Sequence, residues 1–457
     1  MKDLTQGPIG RHVIEMSVPI AIGMLLQTMY FLIDLYFVSR LGEAAIAGVS
    51  SAGTVFFIVM ALTQMLGVGT VSLMSHAVGR KDREEANHLF NQSVVLALLC
   101  AVVTLVGGYA LADTYMEVFG ADVPTRAAGV AFLHGYIPGM GLQFAMVVMG
   151  SALRATGVVK PTMIVQMVTV LLNAALAPVM IAGWGTGIPL GPAGAGWAST
   201  IAVAAGTLML SWYFVKLESY VEFERSQWSP KFATWKRMLN VGLPSGGEFL
   251  MLGVYSLVIY WIIRHFGAAA QAGFGIGGRV MQAVFLPAMA IAFAVPAIAG
   301  QNFGAKLPDR VRETFKRAVL ASIVIMFMLT LVVQWKGEAM VGAFTNDPTV
   351  AAFGYGFLKV ISWNFVAVGI VFTCSGMFQG LGNTWPSLIS TATRLITFAI
   401  PGIWMSTRPG FEIADLWHLS VATMLLQAVF SCVLLRFQLR ERLSSMTPAA
   451  AAPQATG

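Results

Sequence analysis

Twelve apolar stretches, each longer than twenty residues, alternate with short polar breaks along the chain. They run near 14–38, 46–74, 89–112, 128–152, 161–182 and 194–215. After a polar interval from Lys216 to Arg237 they resume near 239–263, 270–299, 314–335, 350–378, 386–406 and 414–435. A helix rises about 1.5 Å per residue and the hydrocarbon core of a bilayer is about 30 Å thick, so about 20 apolar residues cross it. The runs are too long for strands and lack period-two alternation. The pattern predicts an all-α membrane protein with about twelve transmembrane helices.

Composition agrees. Hydrophobic residues make up 57% of the 457 and charged residues 11%, against about 25% charged in a soluble domain. Mean hydropathy is +0.75. So few charges cannot cover a water-exposed surface, which excludes a soluble enzyme, a disordered chain and a secreted disulfide scaffold. Cys100, Cys374 and Cys432 lie inside apolar runs without metal spacing and read as packing residues.

The net charge of +7 reports topology rather than nucleic-acid binding. With the N-terminus inside, twenty Lys and Arg fall in inner segments, from Lys2 and Arg11 to Arg440 and Arg442. Five fall in outer loops: Arg40, Arg126, Arg264, Lys336 and Arg408. The positive-inside rule then places both termini in the cytoplasm, as expected for a multi-pass protein of a bacterial inner membrane. Lys2 and Arg11 precede an apolar stretch that contains Asp34 and continues to Arg40, which does not read as a cleavable signal peptide.

An internal repeat organises the chain. An offset of 225 links Pro19 to Pro244, Tyr30 to Tyr255, Gly42 to Gly267, Lys81 to Lys306, Asp122 to Asp347 and Gly157 to Gly382, without a gap. Each half holds six spans, so both halves enter the membrane with the same orientation. This is a parallel repeat, a plan that transporters use for alternating access. The expected domains are an N-lobe at 1–215, a cytoplasmic linker at 216–237, a C-lobe at 238–440 and a disordered cytoplasmic tail at 441–457.

Charges within spans cost about 2.5–3.5 kcal/mol each at a helix centre and need a reason; five are good candidates: Asp34, Glu248, Arg279, Lys359 and Arg394. Gln27, Tyr30 and Asp34 share one helical face. They read as a protonatable carboxylate with polar support, able to bind and release H⁺ or Na⁺; the alternative is a structural Asp tying helices together. Glu248 follows Pro244-Ser245-Gly246-Gly247, and its repeat mate is Gly23, while that of Asp34 is Ile259. Glu248 is therefore either a second coupling group or the partner of Arg279, Lys359 or Arg394, which form a candidate C-lobe charge network. Pro19 is a candidate hinge. No nucleotide loop, catalytic triad or metal cluster is present. The expectation is a transporter without cofactor rather than an enzyme.

Pro19 with Gln27, Ile33-Asp34 and Val38-Ser39-Arg40-Leu41-Gly42, then Gly300-Gln301-Asn302-Phe303-Gly304-Ala305 and Gln379-Gly380-Leu381-Gly382-Asn383-Thr384, resemble the multidrug and toxic compound extrusion (MATE) family over nearly the whole chain. The resemblance implies two six-helix lobes and antiport of amphipathic, often cationic organic compounds against H⁺ or Na⁺. It also matches Asn173 to a polar residue of the N-lobe coupling network. Many members carry Asp four residues after that Asn, before a Pro; here Ala177 precedes Pro178, which favours H⁺. The chain has Leu252 where NorM-type members place an acid, and is more similar to the DinF-type branch. Expected partners are the lipid bilayer and small amphipathic molecules, with the protein acting as a monomer. A flippase of lipid-linked or polysaccharide precursors is the alternative transporter; a non-transporting scaffold has no need of Asp34 and Glu248.

Overall fold

The structure is a computed structural model that describes residues 1–120, 122–444 and 446. Among them twelve spans are long and apolar enough to cross a membrane, and all regular structure is helical. In chain order the first six spans are α1 (Ile9–Ser39), α2 (Glu43–Gly53) continued by α3 (Val55–Gly79), α4 (Arg83–Phe119), α5 (Val123–Ala155), α6 (Lys160–Ala182) and α7 (Pro192–Lys216). The second six are α8 (Phe232–Ile263), α9 (Ala268–Gly304), α10 (Pro308–Gly342), α11 (Pro348–Ile361) with α12 (Phe365–Gly380), α13 (Trp385–Ser406) and α14 (Ile413–Ser444). The helices outrun the apolar stretches because their polar ends also cap and wind. Asp82, Asp122 and Asp347 accept from the Glu85, Thr125 and Thr349 amides at the starts of α4, α5 and α11, which satisfies otherwise orphaned donors.

Large apolar side chains face outward. Val106, Leu208 and Leu257 are 67%, 70% and 69% exposed, a pattern that only lipid solvates at no cost.

The repeat extends to the backbone. Among the described residues, Lys81 (φ 60°) and Lys306 (φ 59°) are the only non-glycine residues in the left-handed region, and they are 225 apart. Each follows the end of a span and turns the chain into the next helix. Gly157 and Gly382, both at φ 75°, mark another equivalent pair of turns.

The chain forms two compact units, one of Met1–Asp3 and Val18–Gly246, the other of Leu4–Ser17 and Gly247–Gly457. The lobes expected from hydropathy divide the chain between helices; these units divide it within α1, beside Pro19, and within α8, between two glycines. Proline removes a backbone hydrogen bond and glycine a side-chain anchor, so these are points where a helix changes its packing partners. The segment after α7 belongs to the first unit. Asn91 of α4 donates to the Glu222 carbonyl and accepts from the Glu224 amide, and Gln92 donates to the Gln227 and Ser229 carbonyls. The expected tail does not start at 441, because α14 continues to Ser444; of its later residues all but Met446 lie outside the described ones.

Candidate functional site

In the first unit, three helices bring one carboxylate and its donors together. Asp34 of α1 accepts from Asn173 Nδ2 of α6 at 2.8 Å and from Ser199 Oγ of α7 at 3.0 Å. Close backbone approach sets the position of Ser199. A Cβ on Gly196 would collide with the Phe132 carbonyl oxygen of α5. Thr200 Oγ1, one residue beyond Ser199, donates to the Gly135 carbonyl at 2.6 Å and accepts from the Gly139 amide at 3.0 Å. Tyr30, one turn before Asp34, is buried with Val170 and Ala202, against Leu26 and Ile33; Tyr136 of α5 lies within electrostatic reach of the same carboxylate. Gln27 is half-buried and its side chain makes no hydrogen bond to a described residue, so the face read from sequence supplies the acid and Tyr30 but not the donors.

In the second unit, Glu248 of α8 is held by hydroxyls. Ser387 Oγ of α13 lies 2.9 Å from Oε2, Ser375 Oγ of α12 lies 3.4 Å from Oε2, and Thr391 Oγ1 of α13 lies 3.3 Å from Oε1. Gln427 of α14 reaches Thr391 at 3.4 Å. The ion pair expected between Glu248 and Arg279, Lys359 or Arg394 is not formed among the described residues, and the three cations do not form one network. Helix register is the reason. Glu248 faces Ser387 and Tyr255 faces Arg394, both at a separation of 139. The guanidinium therefore lies seven residues, about 10 Å, further along the same seam. There Arg394 Nη2 donates to Tyr255 OH at 3.0 Å, and its Cζ lies 4.4 Å from the Tyr255 ring centroid. Arg279 and Lys359 are exposed, the latter with Nζ 5.9 Å from the Tyr355 ring centroid.

Sequence reasoning missed Ser199, Ser375, Ser387 and Thr391. A signal existed in part: Ser387, Thr391 and Arg394 follow at intervals of four and three in an apolar span, one polar helical face. Cys374 and Cys432 are free, with sulfurs 4.0 Å apart across α12 and α14. No group of three or more His, Cys, Asp or Glu able to hold a metal occurs among the described residues.

Twelve apolar helices built on a parallel repeat, with a hydrogen-bonded carboxylate inside each half, define a multi-pass membrane transporter. The MatE family model matches residues 19–179 and 244–405, two segments whose starts are 225 apart, and the chain belongs to that family. Over 445 residues it is 25% identical to the multidrug export protein MepA of Staphylococcus aureus strain MRSA252, covering 96% of each chain. The MepA protein of Staphylococcus saprophyticus is 24% identical over 441 residues, 95% of each. Its fold is similar to that of a MOP superfamily transporter from Pyrococcus furiosus (TM-score 0.90, 23% identity, 98% of each chain). It is also similar to a MATE crystal structure in a bent conformation (TM-score 0.91, 23% identity, 97% of this chain and 98% of that one).

Proposed function

We propose that this transporter exports amphipathic, often cationic organic compounds from the cytoplasm in exchange for inward-moving H⁺, by rocker-switch alternating access. It works as a monomer in a bacterial inner membrane with both termini in the cytoplasm. The observation that carries this reading is Asp34, a carboxylate inside a membrane span with two side-chain donors aimed at it and, among the described residues, no cation paired with it. Such a group can exchange its counter-charge, taking H⁺ in one state and a cationic substrate in another. An inward H⁺ gradient then drives export because proton and substrate compete for one protein state. Asn173 orients the carboxylate, Tyr30 and Gln27 border it, and Pro19 gives α1 its bending point. Glu248 serves as a second coupling group in the other half.

The donor set supports H⁺ over Na⁺. A metal ion of this kind needs several oxygen ligands. Ala177, fully buried one turn after Asn173, supplies none. The names of the MepA relatives support organic compounds as substrates. The test is efflux of ethidium from proteoliposomes under separately imposed gradients. Efflux driven by a pH gradient without Na⁺ is the expected result; efflux that follows only a Na⁺ gradient contradicts it.

A further inference from the structure

Arg394 is the unexplained charge of the second unit. It lies nine residues after Trp385 and twelve before Ser406 in α13, about 14 and 18 Å from the two helix ends. That is farther than one side chain reaches, so the guanidinium cannot snorkel to a lipid headgroup. No carboxylate pairs with it among the described residues, since Glu248 is occupied by hydroxyls one heptad away. Its contacts are the Tyr255 hydroxyl and ring, and Nε is buried without an acceptor. Stacking on an aromatic returns only about 0.5–2 kcal/mol, less than the cost of a charge at this depth. The residue is nonetheless only half-buried, so part of it stays open to a ligand.

Tyr255 is itself fixed. Its hydroxyl lies 2.8 Å from Ser420 Oγ of α14, and its ring packs on Phe398 at 4.6 Å between centroids. The surroundings therefore combine a planar fork of donors, a rigid aromatic wall and apolar neighbours. They lack only an anion.

We propose that Arg394 and Tyr255 form a recognition site for the anionic group of an amphipathic aromatic ligand, a carboxylate or an equivalent oxyanion. The guanidinium takes the oxyanion through charge-assisted hydrogen bonds, and the Tyr255 and Phe398 rings border the ligand's apolar body. The proposal rests on the reading of the chain as an exporter of amphipathic organic compounds. What it adds is the pair of residues that would recognise a negative group on such a compound.

The test uses the full chain in lipid nanodiscs, with empty nanodiscs as blank, and two fluorescent probes: pyrenebutyric acid and its neutral methyl ester. The wild type should bind the acid about tenfold more tightly than the ester, the worth of one charge-assisted hydrogen bond. Arg394→Gln should bring the acid to the affinity of the ester and leave the ester unchanged, while Arg394→Lys keeps part of the preference. Equal binding of acid and ester by the wild type overturns the proposal, a result that needs no variant to fold. A full acid preference retained in Arg394→Gln overturns it too. Ethidium efflux by wild-type liposomes reads the exporter proposal separately. Acid preference without efflux upholds the Arg394 site and contradicts the exporter; efflux without acid preference does the reverse.

Discussion

Two tyrosines 225 residues apart have neighbours of opposite charge. Tyr30 lies one turn from Asp34 in the first unit; Tyr255, its repeat mate, carries Arg394 on its ring and hydroxyl in the second. The residue equivalent to Asp34 is Ile259, buried in an apolar core, and the residue equivalent to Arg394 is Thr169, buried and bonded to its own helix through the Val165 carbonyl. Asn173, which holds Asp34, corresponds to Phe398, which packs on Tyr255. The duplicated scaffold has thus kept the turns at Lys81/Lys306 and Gly157/Gly382, the Asp122/Asp347 cap and this pair of tyrosines, while the ionisable groups diverged. Few substitutions on one helical frame are enough to give each half its own chemistry.

The two carboxylates differ in their donors as well, and this is where the comparison can be broken. Asp34 has an amide and one hydroxyl; Glu248 has three hydroxyls from two helices. The largest effect is expected at Asp34. Asp34→Asn should lower gradient-driven ethidium efflux by about a hundredfold, the upper range of coupling free energies of about 1–3 kcal/mol, with unfolding in detergent unchanged. Wild-type efflux by this variant would make Asp34 structural and the two halves alike.

Glu248→Leu should lower efflux less than Asp34→Asn does and should act on stability as well. It leaves Ser375, Ser387 and Thr391 without their acceptor, at a cost of about 1–3 kcal/mol, and chemical unfolding in micelles should register it. A stability equal to wild type would show that the hydroxyls find other partners. Removing single donors gives smaller changes. Ser199→Ala takes one of two donors from Asp34 and should reduce efflux about tenfold, one charge-assisted bond. Thr391→Val takes one of three, at a longer 3.3 Å, and should reduce it less; the reverse order would mean that Glu248 is the more sensitive site. Smallest is the coupling between Glu248 and Arg394. With a heptad between them, a double-mutant cycle of unfolding free energies should be additive within about 0.5 kcal/mol, and a larger coupling would restore the ion pair that sequence alone suggested.

The spans and the repeat were legible because both depend on long-range patterns, apolar length and a fixed offset, that side-chain detail does not disturb. Asp34 and Glu248 were legible because a charge in hydrocarbon is costly wherever it lies. Their partners were not. Serine and threonine are common in membrane helices and often bond their own backbone, as Thr169, Thr330 and Thr373 do here. Only the helix register tells Ser199 or Ser387 apart from these. The Glu248 ion pair failed for the same reason, since sequence counts charges but does not say that α8 and α13 meet with Tyr255, not Glu248, opposite Arg394. The division of the chain within α1 and α8 was hidden because hydropathy locates a helix and not the neighbours of its two halves.

The central claim is that Asp34 exchanges a proton for substrate. It is tested most directly by the proton balance of binding, measured as the pH change when ethidium is added to purified protein in weakly buffered micelles. The wild type should release about one proton per ethidium bound, as competition for a single carboxylate requires, and Asp34→Asn should release none. Undiminished proton release by Asp34→Asn, or ethidium binding to the wild type without release, would contradict the account.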